Sequence, residues 1–206
     1  AAAAPFCSRD VGASLAAAYP PSAPQNMIAR FRRKFTASSP ATRSLSTSHF
    51  CRSDIGTSGV RAAIVGPDAT ILHERSHEFL PDTPFDGLVE FDAVAYADLA
   101  IELARDVLTW DGLATHGEVE AIGISNQRAS TVVWDRETGQ PVAPAQSWQD
   151  LRTIGDCLAL QAEGLFIAPN QPATKAANIW NGVDPDRTRD LCIGTPDSWM
   201  VWRLTE

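Results

Sequence analysis

A chain of 206 residues with 44 % hydrophobic content is long enough for one globular domain and too apolar for wholesale disorder. Its net charge of −8 is unevenly spread: residues 1–53 hold seven Lys/Arg and one acid (Asp10), while residues 54–206 hold ten Lys/Arg and 24 acids, so a leader at +6 precedes a body at −14. A body that acidic is a poor general binder of nucleic acid, and no apolar run approaches the roughly 20 residues needed to span a bilayer.

Residues 1–48 are rich in Ala, Ser, Thr and Pro, and their one amphipathic piece is the basic run Met27 to Phe35. The stretch reads as an organelle transit peptide, or as a disordered leader, cloning remnant or gene-model artefact, and the second group is preferred because composition alone carries little. The expected organisation is a leader over 1–50 and a domain over 51–206.

Val60 to Val65 reads as a short strand, Gly66 to Ala69 as a turn, Ile71 to Leu80 as a returning strand and Pro81 to Gly87 as a loop. Asp92 is placed to cap a helix, in which Tyr96, Leu99, Ala100, Leu103, Ala104 and Val107 recur at helical spacing and give one buried face. Val119 to Ile124 is a compact apolar strand. Ser130 to Trp134 and Pro141 to Ser147, joined by a Glu137-Thr138-Gly139 turn, read as a hairpin. Helices are expected over Ile154 to Ala162, Lys175 to Trp180 and Pro196 to Leu204, the last with Thr195 as its cap. Strands first, then alternation with helices, imply an α/β fold with a mixed sheet and flanking helices.

Cys7, Cys51, Cys157 and Cys192 form no Cys-x-x-Cys pair and fit no zinc spacing. Free thiols in a reducing compartment are expected, and with them a cytoplasmic location. His73 and His77 fall on a strand and are read as surface residues.

Three segments have the composition of a site. Asp54-Ile55-Gly56-Thr57-Ser58-Gly59-Val60-Arg61 would end a strand, turn through glycines and return. Such a turn exposes N–H groups and hydroxyls that can hold phosphate, and an Asp at its mouth can hold Mg²⁺ through water; the Gly-Lys-Ser/Thr ending of a Walker loop is absent, and by composition a plain hairpin turn is the commoner use. Ile124-Ser125-Asn126-Gln127-Arg128-Ala129-Ser130 places four polar side chains between two apolar strands, where they suit hydroxyl groups or merely satisfy their own loop. Ser147-Trp148-Gln149-Asp150-Leu151-Arg152-Thr153 offers an indole face and charged partners for a sugar, or a core Trp beside a surface ion pair.

Taken together, in this order, the segments resemble the amino-terminal domain of FGGY carbohydrate kinases, most closely the glycerol kinases. The resemblance rests on Ile122-Gly-Ile-Ser-Asn-Gln-Arg, Thr131-Val-Val-Trp-Asp with Thr138-Gly-Gln-Pro, and Trp148-Gln-Asp-Leu-Arg-Thr. Gly87-Leu-Val-Glu-Phe-Asp and Gly194-Thr-Pro-Asp-Ser-Trp-Met-Val-Trp-Arg-Leu-Thr support it, so that it covers residues 54–206. It implies an RNase H-like fold of the actin/hexokinase/Hsp70-like superfamily, here an incomplete first domain, and ATP-dependent phosphorylation of a sugar or polyol. By the family pattern Asp54 would sit near Mg²⁺ and the transferring phosphate. Gly56, Thr57 and Ser58 would form part of the phosphate loop, steadied by Arg61. Gln127 and Arg128 would bind substrate, Trp148 would wall the pocket, and Asp150 would help orient it.

Three departures from the pattern stand out. Glycerol kinases follow the Arg with a substrate-binding Glu, where this chain has Ala129, and their pocket Tyr falls on Asn170; a different polyol or a sugar is therefore expected. The strand before Asp54 should be apolar, yet it reads His49-Phe50-Cys51-Arg52-Ser53, where a buried Arg52 would be costly and an unrelated leader would have displaced the true strand. The general-base Asp and the second, nucleotide-holding lobe of the family lie beyond Glu206, so the isolated polypeptide is expected to be inactive. The expected partner is a small sugar or polyol, with neither nucleic acid nor membrane, and a homo-oligomer at full length. A non-catalytic sugar-binding sensor or scaffold on the same fold is the alternative.

Overall fold

The computed structural model describes residues 49–205. Met27 to Phe35, Cys7 and the leader up to residue 48 lie outside the described residues.

β1 (His49–Ile55), β2 (Gly59–Val65) and β3 (Ile71–Glu78) form an antiparallel meander, and β6 (Val119–Asn126) adds parallel to β1, giving the order β3-β2-β1-β6. The predicted turn after β2 is present: Gly66 N–H donates to Thr70 O (2.8 Å), and Ala69 takes a left-handed φ of 66°. The register sets Asp54 opposite Arg61 on one side and Ser125 on the other.

The polar reading of β1 needs correction. Its side chains alternate, as a strand's must. Cys51, Ser53 and Ile55 point inward, whereas Phe50 and Arg52 are exposed and Arg52 pairs with Asp54 at 3.2 Å. Arg52 is never buried, so the strand forms with that residue in it.

α1 (Ala93–Leu108) begins where predicted. Asp92 accepts from the N–H groups of Val94 (2.8 Å) and Ala95 (3.0 Å), which would otherwise lack partners. Its alanine-rich face lets the helix approach the sheet, and Val107 packs with Cys51, Ala62 and Ile64 under Leu103 and Ile122. Fully burying one such side chain contributes about 1.5–3 kcal/mol. A one-turn α2 (Leu113–His116) leads into β6.

Residues 81–87, expected as a loop, instead form most of a hairpin: β4 (Asp82–Phe85) pairs antiparallel with β5 (Leu88–Phe91) around Gly87 at φ 82°. Pro84 is tolerated because β4 is an edge strand. The predicted 130–147 hairpin is only partly formed. Val142 N–H reaches Val133 O (3.0 Å) and Thr131 exchanges bonds with Gln146. The arms then diverge: β7 (Val132–Asp135) pairs with β9 (Leu191–Gly194), and β8 (Ala145–Gln146) pairs with β5.

α3 (Ile154–Ala162) matches its prediction. α4 (Pro172–Val183) is longer than predicted because Pro172 starts it, a position where the missing N–H costs nothing. α5 (Pro196–Thr205) follows Thr195, whose hydroxyl donates to the Asp197 carboxylate and does not cap the helix. Val133, Ile179 and Leu191 make a second core. Cys51, Cys157 and Cys192 are buried and free. His77 is exposed, but His73 is half-buried and stacked on Trp110 (5.0 Å), not a plain surface residue. Among the described residues no helix is long and apolar enough to cross a membrane.

Candidate active site

The turn between β1 and β2 is closed by Gly56 N–H donating to Gly59 O (2.9 Å), and Ser58 O is tied to Phe79 N–H (3.1 Å) at the end of β3. Glycine is required at 59, since a Cβ there would lie 2.7 Å from the His77 carbonyl oxygen. The Thr57 N–H meets no acceptor among the described residues. An unpaired N–H beside two small hydroxyls fits a phosphoryl oxygen, so the residues present suit ATP at this turn.

Asp54 ends β1 at the mouth of the turn. Its Oδ1 accepts from the Ser125 hydroxyl (2.8 Å) and its Oδ2 faces Arg52 (3.2 Å), with the side chain 34 % exposed. One accessible carboxylate suits Mg²⁺ held through its waters; among the described residues no group of three metal-ligating side chains exists. Arg61 lies opposite Asp54 in register, but its guanidinium pairs with Glu74 at 3.6 Å. The pair is solvent-exposed and holds the arginine only weakly.

β6 carries the second segment alongside the first. Gln127 N–H donates to Ile55 O (2.8 Å), and Gln127 Nε2 donates to the Tyr96 hydroxyl (3.2 Å) while its Oε1 is buried without a partner. That hydroxyl in turn donates to the Gly56 carbonyl. Arg128 follows, exposed and without an ion pair among the described residues. Ala129 takes a left-handed φ of 64°.

The third segment closes the ring. Ser130 Oγ accepts from Trp148 N–H (3.0 Å), and the Trp148 indole N–H donates to Thr57 Oγ1 (3.0 Å), leaving the indole 38 % exposed. The structure therefore brings Asp54, Gly56, Thr57, Ser58, Gln127, Arg128 and Trp148 into one neighbourhood. Asp150 is different. It is fully buried, with Oδ2 accepting from Val89 N–H (2.7 Å) and Arg152 Nη2 (2.8 Å), and Oδ1 from Arg152 N–H and Nε (both 2.9 Å). Arg152 also reaches Glu90 (2.8 Å), and its bonds to Asp150 and then Glu90 hold its pKa above the ordinary value. Both oxygens of Asp150 are thus occupied by protein donors that brace the segment following Trp148.

Two residues escaped sequence reasoning. Tyr96 read only as part of a helical face. Lys175 is fully buried, and its ammonium donates to the Pro169 carbonyl and to Gln171 O (3.4 Å), fixing the loop that carries Asn170; burial pushes its pKa down. A lysine inside an otherwise uncharged helix was the available signal.

A profile of the FGGY family of carbohydrate kinases, N-terminal domain, matches residues 51–206. The chain is 37 % identical over 196 residues to a glycerol kinase of Rhodopirellula baltica, covering 87 % of this chain and 36 % of that one. It is 39 % identical over 166 residues to a glycerol kinase of Rhodospirillum centenum, covering 74 % and 33 %. Among solved structures it resembles a Plasmodium falciparum glycerol kinase with ADP (TM-score 0.60, 20 % identity, 75 % of this chain and 33 % of that). It also resembles a ligand-bound xylulose kinase from Lactobacillus acidophilus (TM-score 0.64, 15 % identity, 76 % and 33 %). The chain spans about a third of the length of the curated relatives it matches.

Proposed function

This chain belongs to the FGGY family of carbohydrate kinases, and from that premise we propose that it supplies the phosphate turn and the acceptor pocket for ATP-dependent phosphorylation of a sugar or polyol hydroxyl. Its fold is the actin/hexokinase-like fold of the solved sugar kinases, a mixed sheet with flanking helices. The observation that carries the proposal is the Trp148 indole donating to Thr57, with the exposed Arg128, which has no ion pair among the described residues, just before the Ser130 that anchors Trp148. One side chain thereby touches both the place suited to phosphoryl oxygens and the place suited to a hydroxylated ligand.

When bound, the nucleotide supplies the phosphoryl group and Mg²⁺ neutralises its charge. The residues of this chain bind and orient. The Thr57 N–H and the hydroxyls of Thr57 and Ser58 would receive phosphoryl oxygens, Asp54 would hold the ion through its waters, and Arg61, opposite Asp54 on β2, would add positive charge. Arg128 donates to acceptor hydroxyls, Trp148 covers their C–H face, Gln127 borders the pocket, and Asp150 braces it through Arg152. Such positioning is most of what phosphoryl transfer asks of a protein. Ala129 brings no carboxylate beside Arg128, and Asn170 stands where the family pattern has a phenol, which favours an acceptor other than glycerol.

A thermal-shift screen of polyols and sugars on the full-length protein, paired with coupled ATP-consumption assays, tests this. A stabilising ligand that is also phosphorylated is expected, and Arg128→Ala should abolish the shift. An unchanged shift in that variant would remove Arg128 from the pocket. Ala129 and Asn170 also support a non-catalytic sugar-binding sensor, which predicts the shift without ATP consumption at full length.

A further inference from the structure

We infer that Tyr96 is a positioning residue for phosphoryl transfer: its hydroxyl fixes the Gly56–Thr57 peptide so that the Thr57 N–H faces outward as a donor. The inference rests on the phosphoryl-transfer reading above.

A trans peptide is planar, so its C=O and the following N–H point in opposite directions. Tyr96 rises from α1, 2 % exposed, and its hydroxyl donates to the Gly56 carbonyl. With that carbonyl drawn toward the helix, the N–H across the same peptide bond must point away from it. That N–H belongs to Thr57, and it meets no acceptor in the described residues. A glycine turn without such a hold can rotate the peptide at small cost.

The same oxygen accepts from Gln127 Nε2 at 3.2 Å. One hydroxyl therefore links the turn after β1 to the segment after β6, and its proton is directed to Gly56. The ring is wedged between Phe79 (4.9 Å) and Phe91 (5.0 Å), so the hydroxyl cannot swing away without disturbing both. Burial pushes the pKa of Tyr96 up, so the proton stays on the oxygen through the working range. On the far side of the turn the Trp148 indole holds the Thr57 side chain, so peptide and side chain are oriented by separate partners.

The test is Tyr96→Phe in the full-length protein, which deletes the hydroxyl and keeps the ring. With the Thr57 amide followed in ¹⁵N-threonine-labelled protein and assigned through Thr57→Ser, the Mg²⁺ complex of a non-hydrolysable ATP analogue is titrated in. In the wild type the amide should shift on binding; in Tyr96→Phe the shift should be lost or reduced several-fold. Turnover should fall about tenfold or more, as for a misaimed transition-state donor, at unchanged acceptor KM. Ile179→Ala, in the second core with Val133 and Leu191, is the control for plain destabilisation. It should lower Tm at least as much and leave both the amide shift and kcat, measured well below Tm, near wild type.

A wild-type amide shift in Tyr96→Phe would overturn the inference, as would an equal loss of kcat in Ile179→Ala. If the wild-type protein phosphorylated no sugar or polyol, the substrate reading would fall, while the amide titration would still decide the role of Tyr96.

Discussion

Asp184 accepts from the Thr188 N–H (2.8 Å) and hydroxyl (3.0 Å), the Arg189 N–H (3.1 Å) and the Trp180 indole (3.2 Å). Burial works to raise its pKa, but these donors outweigh it and hold the carboxyl at about 2, below its ordinary 3.8. A group depressed on folding contributes stability that is present above its unfolded value and lost as pH falls through the folded one. Asp184→Asn should therefore flatten the acid limb of Tm between about pH 4 and pH 2, and a limb as steep as wild type would show that the loop after α4 does not depend on this charge. Asp150 makes the stronger demand. Its removal takes the buried acceptor from the Val89 N–H and from the Arg152 guanidinium, which is left with Glu90 alone. Asp150→Ala should cost about 3–5 kcal/mol in urea unfolding, and a loss under about 1 kcal/mol would deny it the bracing role. Asp150 looked like a ligand-facing acid in the sequence because its Val89 partner is 61 residues away.

At the scale of elements, what is decided locally was readable and what is decided by a distant partner was not. Asp92 bonds the N–H groups two and three residues on, so the start of α1 was evident. Asp92→Ala should cost about 1 kcal/mol, read as a lower urea midpoint at unchanged slope; a midpoint within error of wild type would mean water replaces the cap. β4 and β5 were missed because Pro84 and the turn-forming residues around it mimic a loop, and β5 is completed by β8 far along the chain. Arg52 misled for a related reason: polarity on one face of a strand excludes burial on that face, not the strand. Of the candidate site, the turn, Arg128 and Trp148 were legible as unusual polar or aromatic groups at strand ends. The Tyr96 hydroxyl was not, since its partner is 40 residues distant and its spacing matched an ordinary buried face. Gly59→Ala tests the tightest element contact. The added methyl would meet the His77 carbonyl at 2.7 Å, so β2 and β3 must part and Tm should fall by several degrees, with a Tm equal to wild type telling against the close approach.

For the molecule as a whole, β1, β2 and β3 are neighbours both in sequence and in space, whereas β6 arrives only after α1 has crossed back over the sheet, about 70 residues downstream. Local antiparallel pairing closes small loops and is quick, while the parallel pairing of β1 with β6 closes a large one and is slow. Asp54 and Ser125 are juxtaposed by that late pairing alone, and so are Ile55 and Gln127. A chain still emerging during synthesis can thus complete its three-stranded meander and yet lack every contact between Asp54, Ile55 and β6. Docking the fourth strand sets Ser125 and Gln127 against β1, Trp148 reaches Thr57 only once the chain beyond β6 has folded, and hydrogen exchange at the Gln127 amide would report the first of these events.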